Sequence, residues 1–174
     1  MEFMPDNLSL SDSDPPEGPP PSSRGVSWVL GQVLLFILFF VSLIEGDPPP
    51  DVPGIVIVEI LGVAVAIGGA ALGVWAMLYH GSRLTPFPKP IDGQQVIDGG
   101  PYRYVRHPMY SGIIAFTLGV GMAYVNPVTM LSSVAFALFF MAKSGHEESM
   151  LVAEVPGYRQ YRASVHWRLI PFIM

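Results

Sequence analysis

The sequence predicts an all-α fold, a polytopic membrane helical bundle of about four transmembrane helices, and three observations carry that prediction. Hydrophobic residues make up 51% of the 174-residue chain and charged residues only 13%, whereas soluble domains carry about 25% charged residues. The mean hydropathy is +0.45. A domain this small needs a charged skin to stay dispersed in water, so such a composition fits a surface that faces lipid. Second, the apolar residues fall into four long runs, separated by stretches rich in Pro, Gly and polar groups. Third, all nine Lys and Arg residues fall on one side of a four-span arrangement.

The elements follow in order. Residues 1–26 hold six prolines, Ser and Asp and no apolar run, which predicts a disordered Pro/Ser/Asp-rich tail. Its acidic residues Glu2, Asp6, Asp12, Asp14 and Glu17 account for the net charge of −5 and argue against a secretory signal, whose first segment is basic. Residues 27–174 form one membrane domain. Residues 27–44 would rise about 27 Å as a helix, enough for a first span. Four prolines within residues 46–54 break that helix and predict an exposed turn. The second span covers residues 55–79, where Gly62, Ala66, Gly69, Ala70 and Gly73 offer a small-residue face that lets a neighbouring helix approach. Glu59 is a carboxylate near the entrance of that span, placed to reach the interface by snorkelling.

Residues 81–107 form a polar stretch too long for a simple turn, a length at which loops carry function. The third and fourth spans, residues 108–125 and about 127–150, make a hairpin around Asn126-Pro127, with proline at the first helical position. After Pro156-Gly157, a short segment with Tyr158, Arg159, Tyr161, Arg162 and Trp167 predicts an interfacial C-terminal helix. Arg24 lies on the N-terminal side. Arg83, Lys89, Arg103 and Arg106 lie in the middle loop, and Lys143, Arg159, Arg162 and Arg168 lie beyond the fourth span's midpoint. The positive-inside rule places both termini and the middle loop in the cytoplasm. The expected location is an integral multi-pass protein of a bacterial inner membrane.

Composition also excludes. Without cysteine there are no disulfides, thiolate nucleophiles or cysteine metal sites. Basic residues are too few and scattered for nucleic acid. His146-Glu147 does not open a zinc motif, because Met150 stands where the second histidine would be, so no metal is expected.

Chemistry gathers in two places. Residues 100–112 read Gly-Pro-Tyr-Arg-Tyr-Val-Arg-His-Pro-Met-Tyr-Ser-Gly, setting Tyr104, His107 and Tyr110 against the start of an apolar helix. Pro108 there removes an amide that would be orphaned, and the remaining N-terminal amides can receive an acceptor. An interfacial anchor of Tyr and Arg would look similar. Gly119 and Gly121 lie two apart in the following helix and point to nearly opposite sides, so they suit either close backbone approach to a ligand or ordinary helix packing. Glu147-Glu148 sits where the fourth helix leaves the bilayer, and adjacent helical side chains diverge by about 100°, so the two carboxylates cannot share one aim.

The 100–112 run, the Glu147-Glu148 pair, Tyr158 and Tyr161, and then Val165 and Arg168 to Pro171 resemble the isoprenylcysteine carboxyl methyltransferase and phospholipid methyltransferase superfamily. The resemblance covers residues 83–171. It implies S-adenosylmethionine-dependent methyl transfer to a lipophilic small-molecule or lipidated acceptor among membrane lipids, in a cytoplasmic cofactor pocket. It further implies Tyr104, His107, Pro108, Tyr110, Gly119, Gly121, Glu147 and Glu148 around the cofactor. His107, Glu147, Glu148 and Arg168 would be catalytic, and Lys143, Tyr158, Tyr161 and Arg168 would hold the acceptor. The glutamate facing His107 should matter more for the cofactor, and Glu147 is favoured because its face also carries Lys143. Departures touch the acceptor: Val165-His166-Trp167-Arg168 replaces the usual Val-Pro-Arg, and Val155-Pro156-Gly157-Tyr158 replaces Gly-Glu-Glu-Tyr. Two other readings are an NADPH-dependent sterol-type membrane reductase, which shares the membrane fold, and a non-enzymatic scaffold anchored by interfacial aromatics. The cofactor that the solubilised protein retains separates them.

Overall fold

The computed structural model describes residues 25–45, 52–81, 84–88 and 93–171. The predicted tail, most of the 46–54 turn, and Arg83 and Lys89 lie outside the described residues. Among the described residues five α-helices run Val26–Ile44 (α1), Ile55–His80 (α2), Pro108–Ala123 (α3), Pro127–Glu154 (α4) and Tyr158–Ser164 (α5), with a 3₁₀ turn at Gly100–Arg103. Among the described residues there is no strand. α1, α2 and α4 are long and apolar enough to cross a membrane. α3 is shorter, 16 residues that rise about 24 Å. It closes where Tyr124 and Val125 turn the chain, two residues short of the predicted end. α4 runs 28 residues, about 42 Å, and so carries Glu147 and Glu148 past a hydrocarbon core of about 30 Å.

α1 and α2 leave Leu30, Ile37, Ile44, Ile57, Ile60 and Ile67 outward, as helices in lipid do. The closest pairing joins α2 to α3 through two reciprocal glycine contacts. A Cβ on Gly119 would stand 2.6 Å from the Gly62 carbonyl oxygen, and one on Gly69 would stand 2.8 Å from that of Gly112. The glycines repeat every seven residues on both helices, two turns, so they meet in register along one seam. Part of the predicted small-residue face is thus used as expected, through Gly62 and Gly69. Gly73 offers its backbone to Gly112, while its own missing Cβ faces open space.

Asn126 caps α4, its Oδ1 accepting from the Val128 and Thr129 amides, and its Nδ2 donates to the Ser42 carbonyl at the end of α1. Ser42 and Thr129 hydroxyls meet at 3.0 Å. At the opposite end, Trp28 stacks on His146 with ring centroids 5.8 Å apart. α1 is therefore fastened to α4 at both ends. Rings of His107, Tyr110, Phe140 and Phe136 stack in sequence from the polar end toward the bundle's middle.

Candidate functional site

The end of the bundle where α2 finishes, α3 begins and α4 exits holds the polar residues. The chain enters it through the 3₁₀ turn and an extended stretch that delivers Arg106 and His107 just ahead of Pro108. Residues 165–169 run beside this stretch. The Arg106 and His107 amides donate to the Trp167 and Arg168 carbonyls at 2.9 and 3.0 Å. Arg106 Nη1 donates to the Val165 and His166 carbonyls, and Ser111 Oγ to that of Leu169. A strap after α5 thus closes on the start of α3.

Glu148 is the hub. Its side chain is 2% exposed and accepts from Arg106 Nε at 2.6 Å and Nη2 at 3.3 Å, a bidentate pair. His107 Nε2 lies 3.2 Å from the same carboxylate, and Arg162 and Arg168 approach at 3.6 and 3.8 Å. Two cations from the strap and α5, and one from ahead of α3, therefore converge on one α4 carboxylate. Glu147 has a different setting: its carboxylate accepts from the Tyr110 hydroxyl at 2.9 Å, and His107 Nδ1 is 3.9 Å away. The imidazole thus lies between the two carboxylates and closer to Glu148. The expectation that His107 faces Glu147 is corrected, because the 100° step from Glu147 turns Glu148 onto the His107 side.

Beside this hub opens a small cavity, about 80 Å³ in volume, behind a mouth open to solvent. His107, Tyr110, Glu147, Tyr158 and Tyr161 line it, all of them predicted site residues. His80, Tyr102 and Arg106 line it too, alongside an apolar wall that includes Val96, Ile97, Met109, Leu151 and Val155. Glu148 stands behind this wall rather than in it. The Tyr158 hydroxyl is buried and has no hydrogen-bond partner among the described residues. Tyr161 donates to the Tyr102 carbonyl at 2.8 Å.

The other predicted residues lie elsewhere. Tyr104 is 66% exposed, because the end of the 3₁₀ turn swings it outward. Gly119 packs on Gly62 and Ala66 of α2, and Gly121 on Met130 of α4, so both serve helix packing some three to four turns from His107. Pro108 is buried at the start of α3 without lining the cavity. Lys143 is buried, its ammonium donating to Gln32 Oε1 at 2.6 Å and the Pro86 carbonyl at 3.2 Å, over the Tyr110 ring. It ties α1 to a wall of the cavity instead of facing into it. Arg168 turns to Glu148 and the Met141 carbonyl. Glu59 sits in the second turn of α2, at the far end of the bundle from the cavity.

Sequence reasoning passed over His80, Tyr102 and Arg106. Arg106 precedes the His107-Pro108 pair and could have been singled out as the cation nearest a buried helix start. His80 sits beyond an apolar run with nothing local to mark it.

Burial pushes the phenols of Tyr102, Tyr158 and Tyr161 above their ordinary range, with the Glu147 charge adding for Tyr102, Glu148 for Tyr158 and Tyr102 for Tyr161. All three act as neutral hydroxyls. Because the folded values lie above the unfolded one, their contribution to stability is full below about pH 10 and is lost as pH rises toward the folded values. A spectrophotometric titration is expected to show these three phenols silent through pH 10 and appearing only as the protein unfolds in alkali. Ordinary ionisation of all seven tyrosines near pH 10 in folded protein would contradict it.

A profile of the phospholipid methyltransferase family matches residues 57–155. The probable protein-S-isoprenylcysteine O-methyltransferase of Oryza sativa subsp. indica is 39% identical over 88 residues, covering 47% of this chain and 44% of the rice protein. The protein-S-isoprenylcysteine O-methyltransferase of Xenopus laevis is 26% identical over 134 residues, covering 75% of this chain and 46% of its own length. The structure of the eukaryotic intramembrane Ras methyltransferase ICMT (isoprenylcysteine carboxyl methyltransferase) superposes with a TM-score of 0.61 at 25% identity, over 86% of this chain and 54% of that one. The chain spans about half the length of the relatives it matches. With the family profile aligned along more than half of its residues, from α2 through the end of α4, the chain belongs to the phospholipid methyltransferase family.

Proposed function

We propose that this protein transfers a methyl group from S-adenosylmethionine to a lipophilic acceptor at the cytoplasmic face of its membrane. The family supplies the reaction class. The observation in this chain that carries the reading is Tyr158, which lines the cavity beside Glu147 and whose buried hydroxyl has no hydrogen-bond partner among the described residues. A sulfonium cofactor with an amino acid end and a nucleoside end needs negative charge, hydroxyl partners and an apolar wall. Glu147, Tyr158 and Tyr110, and the Val96 to Val155 wall fit those needs in turn. When bound, S-adenosylmethionine supplies an electrophilic methyl carbon.

The chain's own part is positioning and exclusion of water. Holding two reactants in near-attack geometry contributes up to about 7–11 kcal/mol, and the apolar wall keeps competing water out. Glu148 does not reach into the cavity. By gripping Arg106 and His107 it fixes the backbone on which Tyr102 and Tyr110 stand, so it acts as a positioning residue. The basic end of the bundle agrees with a cytoplasmic site and cytoplasmic termini.

Calorimetric titration in detergent tests the reading. Glu147→Gln is expected to weaken S-adenosylmethionine binding about tenfold to a hundredfold, the loss of one charge-assisted bond. Methyl-tritium transfer into a total lipid extract should accompany binding by the wild type. A wild type that binds no S-adenosylmethionine, or a Glu147→Gln variant with unaltered affinity, would overturn it.

A further inference from the structure

His80 closes α2 and lines the cavity, and nothing in the site described above uses it. Its Nδ1 lies 3.0 Å from the Tyr102 hydroxyl, with the two rings 6.1 Å apart. The ring makes no other hydrogen bond among the described residues, so Nε2 is the nitrogen left for chemistry. The ionisable groups sharing the cavity are otherwise occupied. Arg106 is held by Glu148. His107 lies between both carboxylates. Tyr110 donates to Glu147 and Tyr161 to the Tyr102 carbonyl, and Tyr102 and Tyr158 stay phenols. Glu147 keeps acceptor capacity, but it already accepts from the Tyr110 hydroxyl, and a carboxylate is intrinsically a weaker proton acceptor than an imidazole.

On these grounds we infer that His80, oriented by Tyr102, is the proton acceptor for methyl transfer to a nucleophile that arrives protonated, an amine borne by a lipid. The inference rests on the methyltransferase reading above. A carboxylate acceptor needs no base, whereas an ammonium has no lone pair until it loses a proton. In the tautomer that serves this role Nδ1–H donates to the Tyr102 oxygen and Nε2 is unprotonated. One N–H bond of the ammonium breaks and its proton goes to Nε2. The freed pair forms the nitrogen–carbon bond as the carbon–sulfur bond of the methyl donor breaks, leaving that bond's electrons on sulfur. The imidazolium returns its proton to water at the mouth of the cavity, and until then Glu147, lining the same cavity, offsets its charge.

The full chain in vesicles is assayed with phosphatidylethanolamine as the amine probe and an S-prenylated N-acetylcysteine as the carboxylate probe. His80→Asn is expected to lower kcat for the amine about a hundredfold at pH 7, with the KM for S-adenosylmethionine unchanged. The inflection that His80 gives the wild-type pH profile should vanish, leaving a rate that climbs tenfold per pH unit with the fraction of free amine. Tyr102→Phe should shift that inflection without removing it. It should also move the ring signal of His80 in nitrogen-labelled, cofactor-free protein, a readout that needs no turnover. An unaltered rate and profile in His80→Asn would overturn the inference, as would a wild type that methylates the carboxylate probe and leaves the amine untouched. Absence of methyl transfer to both probes, with no S-adenosylmethionine bound, would instead remove the methyltransferase reading and this inference with it.

Discussion

Replacing Glu148 by Gln is expected to lower stability by about 3–5 kcal/mol, the range found when one partner of a buried ion pair is removed. The amide keeps the shape of the side chain but not its charge. Arg106, with its side chain 6% exposed, would then be a buried cation facing an amide, and Arg162 and Arg168 would lose their common partner. Those cations fasten the strap and α5, so the damage should be local before it is global. In detergent, protease cleavage within residues 158–169 should rise sharply while α1 to α4 stay protected. The double variant Arg106→Met, Glu148→Met should be less damaged than either single change, because the cations it leaves unpaired, Arg162 and Arg168, are partly exposed and no buried charge is stranded. Equal protection of wild type and Glu148→Gln would show that the strap is held by its backbone bonds alone.

The second large effect concerns the α2–α3 seam. Gly119→Val is expected to cost about 3 kcal/mol, the upper end of the range for overpacking, because its branches would drive into the Gly62 and Ala66 backbone and no side chain there can give way. Since α3 begins at the cavity, parting the helices should also weaken cofactor binding from a distance. Gly68→Ala is the matched control, for a Cβ at Gly68 meets open space. Thermal unfolding followed by intrinsic fluorescence in detergent decides it: indistinguishable midpoints for the two variants would mean that the seam does not limit stability.

Much of the architecture was legible because lipid imposes simple rules. Apolar runs long enough to span, broken by proline clusters, marked α1, α2 and α4 to within a few residues, and Asn126-Pro127 marked the hairpin. The short reach of α3 was less legible, since Tyr124 and Val125 are apolar yet belong to the turn, with Val125 at φ 48. Within the site, local facts survived. The divergence of Glu147 and Glu148 follows from helix geometry and was read correctly. Which of them meets His107 depends on how α4 is rotated against α3, and no single-chain pattern encodes that rotation. The same limit explains the glycines: Gly119 and Gly121 do point to different sides, but each side holds another helix. Tyr104 stands in a conspicuous motif and still faces outward, whereas Tyr102, two residues earlier, turns in. Arg106 and Glu148 are 42 residues apart, and their pairing exists only after the bundle forms.

The strap has a bearing on biosynthesis. Every group that receives Arg106 from residues 165–169 lies beyond the last membrane-crossing helix, so these residues leave the ribosome only after α1 to α4 have been made. A nascent chain can form α1 to α4 and seat the glycine seam while the mouth of the site is still unformed. Membrane integration and completion of the site are therefore successive events, and a chain cut short before Val165 would be a fully inserted protein whose His107 segment has nothing to lie against.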